Sequence, residues 1–547
     1  MRMARVLAAA AAAMLAVAGC GSGDGGGNDG NAPKKTVLHS ALGQSVDTLL
    51  PADSNVGDNI GVDDVLFSGL VRYDIDTGKP YNYMAQSITS TDNTTWTIKI
   101  KKGWTFQNGE PVDANAYARA WNAAAFGPNA FANNYFFDKV VGYDKMQGEV
   151  EEDDNGNVKV LKKPSATELS GLKVVDDHTL RVTLNTPFAA FPTILGYTGF
   201  FPMAEKCAKD LHACAVKPIG NGPFKVVSWD RGQKLVAERW KGYKGSEKPS
   251  YDSIEWREYG ENEVSWPDFQ SGDIDLSAPP PEQWASAMND PELKKRMVKR
   301  PTTALTYLGF PLYAGKPWTD PNFRKAIALA VDVDTIIKQV APGRYSRATG
   351  WVPTTVFGGR KNVCDYCRYD PAEAKKLLAK AGGWPKGKVM KIALGSDTTQ
   401  EAIFKAIGDQ LKLNLGINYS LVPSEEFFSM RSAQKFQGPF RNNWYADYNL
   451  NENYLRPVYA SGDPKGNTNF GYYDKKFEAK LDEADRAANT ADAVKLYQQA
   501  EDILAADFPT VPLYVSDSVT FYSDRLDNVK LNPFSGAVDL RILKIAK

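Results

Sequence analysis

A mixed α/β fold of about three domains is predicted for this 547-residue chain, at ~150 residues per domain once an N-terminal export segment is set aside. Three observations predict it. From Thr36 onward, short segments of period two alternate with longer segments of helical period. The order of the two kinds is irregular, which suggests domains assembled from discontinuous stretches. No repeat of roughly 20–50 residues is visible, so a solenoid or propeller is disfavoured.

The export segment comes first. Arg2 and Arg5 precede an apolar run from Val6 to Ala18, the layout of a secretory signal, which places the mature chain outside the cytoplasm. The run is too short to span a bilayer comfortably and ends in Val17-Ala18-Gly19-Cys20, which resembles a bacterial lipobox. That resemblance implies a lipoprotein signal over residues 1–20, with Cys20 lipidated and holding the protein to the outer face of the cell membrane. A plain signal peptide is the alternative. Residues 21–35, opening with Gly21-Ser22-Gly23-Asp24-Gly25, cannot bury apolar surface and read as a flexible tether. No later segment has about 18 consecutive apolar residues, so none is expected to cross the membrane.

Beyond the tether, Trp96 to Ile100 alternates apolar and polar residues as a half-buried strand, and Gly103 and Asn108-Gly109 mark turns. Asp113 is placed to cap a helix over Ala114–Ala125. The acidic run Glu149 to Gly156 reads as a solvated loop, with a cation site as the alternative. Thr179 to Leu184 is a second alternating strand, ended by Pro187. Asn322 to Gln339 and Pro371 to Ala381 have helical periodicity, each preceded by an Asp-Pro start signal at Asp320-Pro321 and Asp370-Pro371. Leu481 to Ala506 is a further helical stretch, ended by Pro509 and Pro512.

Lys+Arg and Asp+Glu balance at 65 each, so there is no electrostatic reason to expect a nucleic-acid partner. With Cys20 set aside, the other cysteines form two local pairs, Cys207 with Cys214 and Cys364 with Cys367, read as short disulfides of an oxidising compartment. A thiol oxidoreductase at Cys364/Cys367 is the rival reading, although a redox C-x-x-C should start a helix after a buried strand. His39, His178 and His212 are scattered without metal-ligand spacing, so no metal or other cofactor is expected. Gly220 and Gly222 are followed by Pro223, which denies the helix a phosphate-binding loop needs. There is no G-x-S-x-G, H-E-x-x-H or P-loop, and the chain is not expected to be an enzyme.

Five blocks in register, Gly69 to Asp74, Trp96 to Gly109, Ile219 to Val226, Phe323 to Asp332 and Tyr369 to Ala374, resemble bacterial extracellular solute-binding protein family 5. This family includes oligopeptide- and dipeptide-binding lipoproteins of ABC importers. The resemblance implies a large three-domain periplasmic-binding-protein-like fold (type II, cluster C), with two lobes around a ligand cleft. Domain I would comprise 36–82, 217–305 and 516–547, domain II 83–216 and domain III 306–515. Lobe closure around a short peptide, delivery to permease subunits with a cytoplasmic ATPase, and a monomeric state are implied as well.

The segment Arg441-Asn442-Asn443-Trp444-Tyr445-Ala446-Asp447-Tyr448-Asn449 is similar to the family's W-x-A-D-Y-N stretch. It implies that Asp447 receives the ligand's α-amino group and that Arg441 answers its carboxylate, with an ordinary surface or interdomain salt bridge as the alternative for Arg441. The main chain of Asn443 and Tyr445 would pair with the peptide as an added strand. Trp444, Tyr445 and Tyr448 line the cleft on this reading, with core packing as the alternative. Leu450-Asn451-Glu452 departs from the acidic residue and proline that many relatives have there, which leaves the downstream wall of the site open. The same fold could hold another cargo, such as a dipeptide, a nickel chelate or a sugar, or serve a peptide-sensing receptor.

Overall fold

The sheet that organises the molecule draws strands from both ends of the chain. The computed structural model describes residues 35–42, 46–55, 57–152, 158–259, 262–462, 466 and 469–546. Among them, eleven strands share this sheet. They are β1 (Val37–Leu42), β2 (Phe224–Asp230), β3 (Lys234–Arg239), β4 (Ser253–Glu258), β5 (Leu276–Ser277), β6 (Met297–Gly309), β7 (Tyr345–Arg347), β8 (Met390–Leu394), β9 (Tyr419–Pro423), β10 (Phe440–Trp444) and β11 (Thr510–Tyr522). Their order is β2-β3-β4-β1-β5-β11-β6-β10-β8-β9, with β7 on β11.

β1 runs parallel to β4 and β5, and β8 runs parallel to β9, whereas β11 is antiparallel to both β5 and β6. β6 and β11 have 13 residues each, a reach of about 43 Å at ~3.3 Å per residue. This long pair therefore joins the two halves of the sheet. Its ladder slips between Pro301 and Leu305, because proline has no N–H to donate. Thr302 Oγ1 donates to the Ser516 carbonyl at 2.9 Å in that gap.

A separate antiparallel sheet, in the order Ala85–Thr89, Thr95–Ile100, Thr179–Thr183 and Leu172–Asp176, packs beside helix α1 (Ala114–Ala125). Trp96, Ile98 and Ile100 point into its core, as their alternation predicts. Asp113 caps α1, accepting from the Ala116 N–H at 2.9 Å. Trp121 of α1 is fully buried and donates its indole N–H to the Phe200 carbonyl at 3.0 Å. Gly220 and Gly222 lie close against the chain at Leu66 and open no helix: a Cβ at Gly220 would lie 2.0 Å from the Leu66 carbonyl oxygen.

The helical predictions need three corrections. The stretch Asn322–Gln339 is two helices, α2 (Pro321–Leu329) and α3 (Val333–Val340), because Asp332 leaves the helical pattern to cap Thr335. α4 (Pro371–Lys380) and α5 (Thr398–Leu415) follow. The stretch Leu481–Ala506 belongs to α6 (Lys475–Asp485) and α7 (Thr490–Asp507), separated where Asn489 caps Asp492. In both places apolar periodicity runs on across a polar cap that stops the backbone. α7 ends in a left-handed Phe508 before Pro509, but Pro512 lies inside β11, beside a register shift in the β6 ladder.

The acidic run is not simply a loop. Glu149–Glu152 pairs antiparallel with Val158–Lys162, and Lys159 and Lys162 lie across from Glu151 and Glu149. Opposite charges on the partner strand relieve the repulsion within the run. Asp153 to Gly156 lie outside the described residues, as do the signal, Cys20 and the tether up to residue 34. Among the described residues no helix is long and apolar enough to cross a membrane. Cys207 is bonded to Cys214 between two short helices, and Cys364 to Cys367 in the loop before α4.

Candidate ligand-binding site

β10 carries the predicted site, between β6 and β8 in the large sheet. It pairs with β6 along its whole length, from Gly309 opposite Phe440 to Leu305 opposite Trp444. On its other side it meets β8 only at Ala393 opposite Phe440. The edge from Arg441 to Trp444 therefore has no strand partner on that side among the described residues. Past Trp444 the chain turns, leaving Tyr445 61% exposed, and folds back through a 3-10 turn at Asn451–Tyr454.

That turn holds Asp447. The Asp447 N–H donates to Asn453 Oδ1 at 2.8 Å, and Asn453 Nδ2 donates to Asp447 Oδ2 at 3.1 Å. The other carboxylate oxygen accepts from the hydroxyl of Tyr135, which comes from the segment beside α1, at 3.0 Å. Burial holds the Asp447 carboxyl above the usual carboxylate range, and the bonds from Asn453 and Tyr135 offset part of that. Burial and the facing carboxylate push the Tyr135 phenol up, so it remains a neutral donor. No lysine, arginine or histidine among the described residues forms an ion pair with Asp447. A half-buried carboxylate with two neutral donors and no counter-charge leaves room for a cation as a further partner.

The other predicted residues are distributed unevenly. Trp444 is half-buried and donates its indole N–H to Asn453 Oδ1 at 3.1 Å. Asn443 lies opposite Thr306 on β6, and its main-chain N–H donates to Asn442 Oδ1 at 3.0 Å. Arg441 is half-buried on the face carrying Leu308, with Nε donating to Gln400 Oε1 at 3.0 Å. Gln400 also accepts from the Tyr514 hydroxyl. Tyr448 is buried, edge-on to Phe188, and donates its hydroxyl to Glu452. It backs the site rather than facing the cleft in this conformation.

The segment Asn449–Tyr454, which includes the departing Leu450-Asn451-Glu452, is an interior wall, buried throughout. Asn449 Oδ1 accepts from the Phe357 N–H at 3.2 Å, and Nδ2 donates to the Gly78 carbonyl at 2.7 Å. Gly78 has φ +69°, and a Cβ there would lie 2.7 Å from Asn449 Nδ2. Tyr135 and Asn453 are the site residues that sequence reasoning misses. Asn453 sits in an asparagine-rich run that hints at side-chain capping, whereas nothing in the sequence ties Tyr135 to a residue 312 positions away.

A cavity of about 310 Å³ opens at the C-terminal ends of β1 and β5, lined in part by Ser40, Trp256, Ser277, Ser518 and Gly536. Among the described residues no cluster of His, Cys, Asp or Glu is placed to hold a metal ion.

Comparison with known proteins identifies the neighbourhood of this chain. The model for bacterial extracellular solute-binding proteins, family 5 (middle region), matches residues 79–466. The oligopeptide-binding protein OppA of Bacillus subtilis (strain 168) is 27% identical over 526 residues, covering 93% of this chain and 92% of the relative. The glutathione-binding protein GsiB of Salmonella choleraesuis (strain SC-B67) is 27% identical, covering 91% and 92%. Among solved structures, the unliganded open form of the periplasmic murein tripeptide binding protein MppA superposes with a TM-score of 0.81 at 20% identity, covering 94% of this chain and 98% of that one. Haemophilus influenzae OppA in complex with RPPGFSPFR gives 0.66 at 22% identity, covering 94% and 99%.

Proposed function

Because the chain belongs to the bacterial extracellular solute-binding proteins, family 5, we propose that it captures short peptides outside the cytoplasmic membrane and delivers them to an ABC importer. The carrying observation is Asp447, an unpaired, half-buried carboxylate beside an open strand edge. An α-ammonium group supplies the missing charge, and the main chain of Arg441 to Trp444 offers an extended ligand a strand to pair with. Arg441 is assigned to the ligand's carboxylate, its Nε held by Gln400. OppA of Bacillus subtilis and GsiB are named for an oligopeptide and for glutathione, and both cargoes are peptides with a free α-amino group.

The four-stranded sheet, which falls in 83–216, supports setting domain II apart, whereas strands β1 to β5 from the stretches assigned to domain I and β7 to β10 from 306–515 share one sheet through β6 and β11. The cavity beside β1 and β5 lies in domain I, where parallel strand ends commonly meet ligands. Lipid anchoring at Cys20, a monomeric state and permease partners complete the reading. It invokes no chemistry on the ligand.

A thermal-shift titration of the ligand-stripped protein tests it, with tri- to pentapeptides and glutathione, free and N-acetylated. Free peptide at about a hundred times its dissociation constant should stabilise the fold by roughly 2.7 kcal/mol. A shift with free but not acetylated peptides supports capture through the amino group, and no shift with any of them rejects peptides as cargo.

A further inference from the structure

We propose that Asn453 is the positioning residue of the amine-recognition site, aiming the Asp447 carboxylate and keeping it ionised. The inference rests on the reading of Asp447 as the ammonium acceptor and deepens it. Asn453 is buried, and its amide is fixed on three sides. Oδ1 accepts from the Asp447 N–H at 2.8 Å and from the Trp444 indole N–H at 3.1 Å. Two N–H donors on one atom identify it as the oxygen, so Nδ2 is the atom directed at Asp447 Oδ2, at 3.1 Å.

The rest of the environment gives the carboxylate little help. The titratable groups that face it are Tyr135, Tyr197, Tyr448 and Tyr454, phenols that stay neutral at physiological pH. Of its two side-chain hydrogen-bond donors among the described residues, Tyr135 belongs to a segment 312 positions away and holds Oδ1. Asn453 is six residues away on the same turn and stays with Asp447 whatever the lobes do. Of the two donors it is the one on the same turn as Asp447. A hydrogen bond to the charged form favours that form, and its loss leaves burial to push the carboxyl further up. The turn that follows the motif thus gains a role: Asn453 on it makes Asp447 usable.

The test uses the full chain labelled with carboxyl-¹³C aspartate, with the Asp447→Asn variant identifying the Asp447 resonance. In wild type Asp447 should titrate above the ordinary aspartate range. Asn453→Ala should raise that midpoint by about one pH unit and weaken trialanine about tenfold near neutral pH, leaving N-acetyl-trialanine unchanged. Asn453→Asp keeps an oxygen for the two N–H donors and replaces the amide donor by a carboxylate, so it preserves the turn if the alanine variant does not fold. Its Asp447 midpoint should rise further still. Midpoints that stay at the wild-type value in the variants that melt cooperatively overturn the proposal. If wild type shows no preference for free amines yet the midpoint moves, the amine reading fails and the role of Asn453 on Asp447 stands.

Discussion

Replacing Asp447 by Asn removes one charge and almost no volume, but it also puts an amide donor opposite Asn453 Nδ2, so the comparison of free with N-acetylated peptides is what isolates the proposed ammonium contact. The remaining side chain keeps an oxygen for the Tyr135 hydroxyl, and the Asp447 main-chain bond to Asn453 does not involve the side chain at all. What is lost is a charge-assisted hydrogen bond worth about 1.5–3 kcal/mol, or about tenfold to a hundredfold in affinity at ~1.4 kcal/mol per decade. Calorimetric titration at neutral pH with trialanine and N-acetyl-trialanine should show that loss for the free amine alone. Acidity gives a second signature. Because the Asp447 carboxyl lies above its ordinary value in the folded protein, its charged form costs ligand-free stability, and this cost disappears as pH falls through the folded value. Free-amine affinity should decline over the same interval, since the ammonium needs the carboxylate, and in Asp447→Asn both trends should flatten. An equal loss for free and acetylated peptides, or no loss for either, refutes the assignment.

Three further outcomes follow from the same geometry. Tyr135→Phe removes the one donor that reaches Asp447 from the distant segment while keeping the ring stacked on Phe136; free-amine affinity measured by calorimetry should change by about threefold to tenfold, the net value of one hydrogen bond. Gly78→Ala places a Cβ 2.7 Å from Asn449 Nδ2 at a φ of +69° and should destabilise the fold by about 1–3 kcal/mol in urea unfolding. Cys207→Ala with Cys214→Ala opens a short loop and should lower stability by about 2–3 kcal/mol on the chain-entropy model, while the wild-type protein should accept no alkylating reagent until denatured and reduced.

Much of the fold could be read locally. The strand through Trp96, the Asp113-capped helix and the helix opened by Asp370-Pro371 all depend on contacts a few residues apart, and their sequence signals are explicit. The two overlong helices failed for the opposite reason: apolar spacing continues through Ala330–Asp332 and Arg486–Asn489, and only the side-chain caps at Asp332 and Asn489 end the backbone pattern. At the site, Asp447 stood out because a motif surrounds it. Tyr135 did not, because its place is fixed by the stacking of Tyr135 on Phe136 and of Phe136 on Tyr197, a tertiary arrangement with no sequence spacing. Tyr448 illustrates the converse, a motif residue whose hydroxyl is committed to Glu452 inside the wall.

The open edge and the lone carboxylate impose different kinds of selectivity on the proposed ligand. A strand edge offers main-chain donors and acceptors at a fixed spacing and is indifferent to side chains. In the proposed binding mode Asp447 recognises one end of the chain, and so sets which way the peptide runs along β10. Neither element measures ligand length. Length must then be set at the far end of the cleft, by whichever cation meets the carboxylate, and Arg441 meets that requirement only for a ligand that runs back along its own strand. A peptide series extended by one residue at a time at the carboxyl end should therefore show one affinity maximum in wild type, and Arg441→Ala should flatten that maximum while preserving the preference for a free amine. A maximum that survives in Arg441→Ala would move the carboxylate contact to another residue without disturbing the assignment of Asp447.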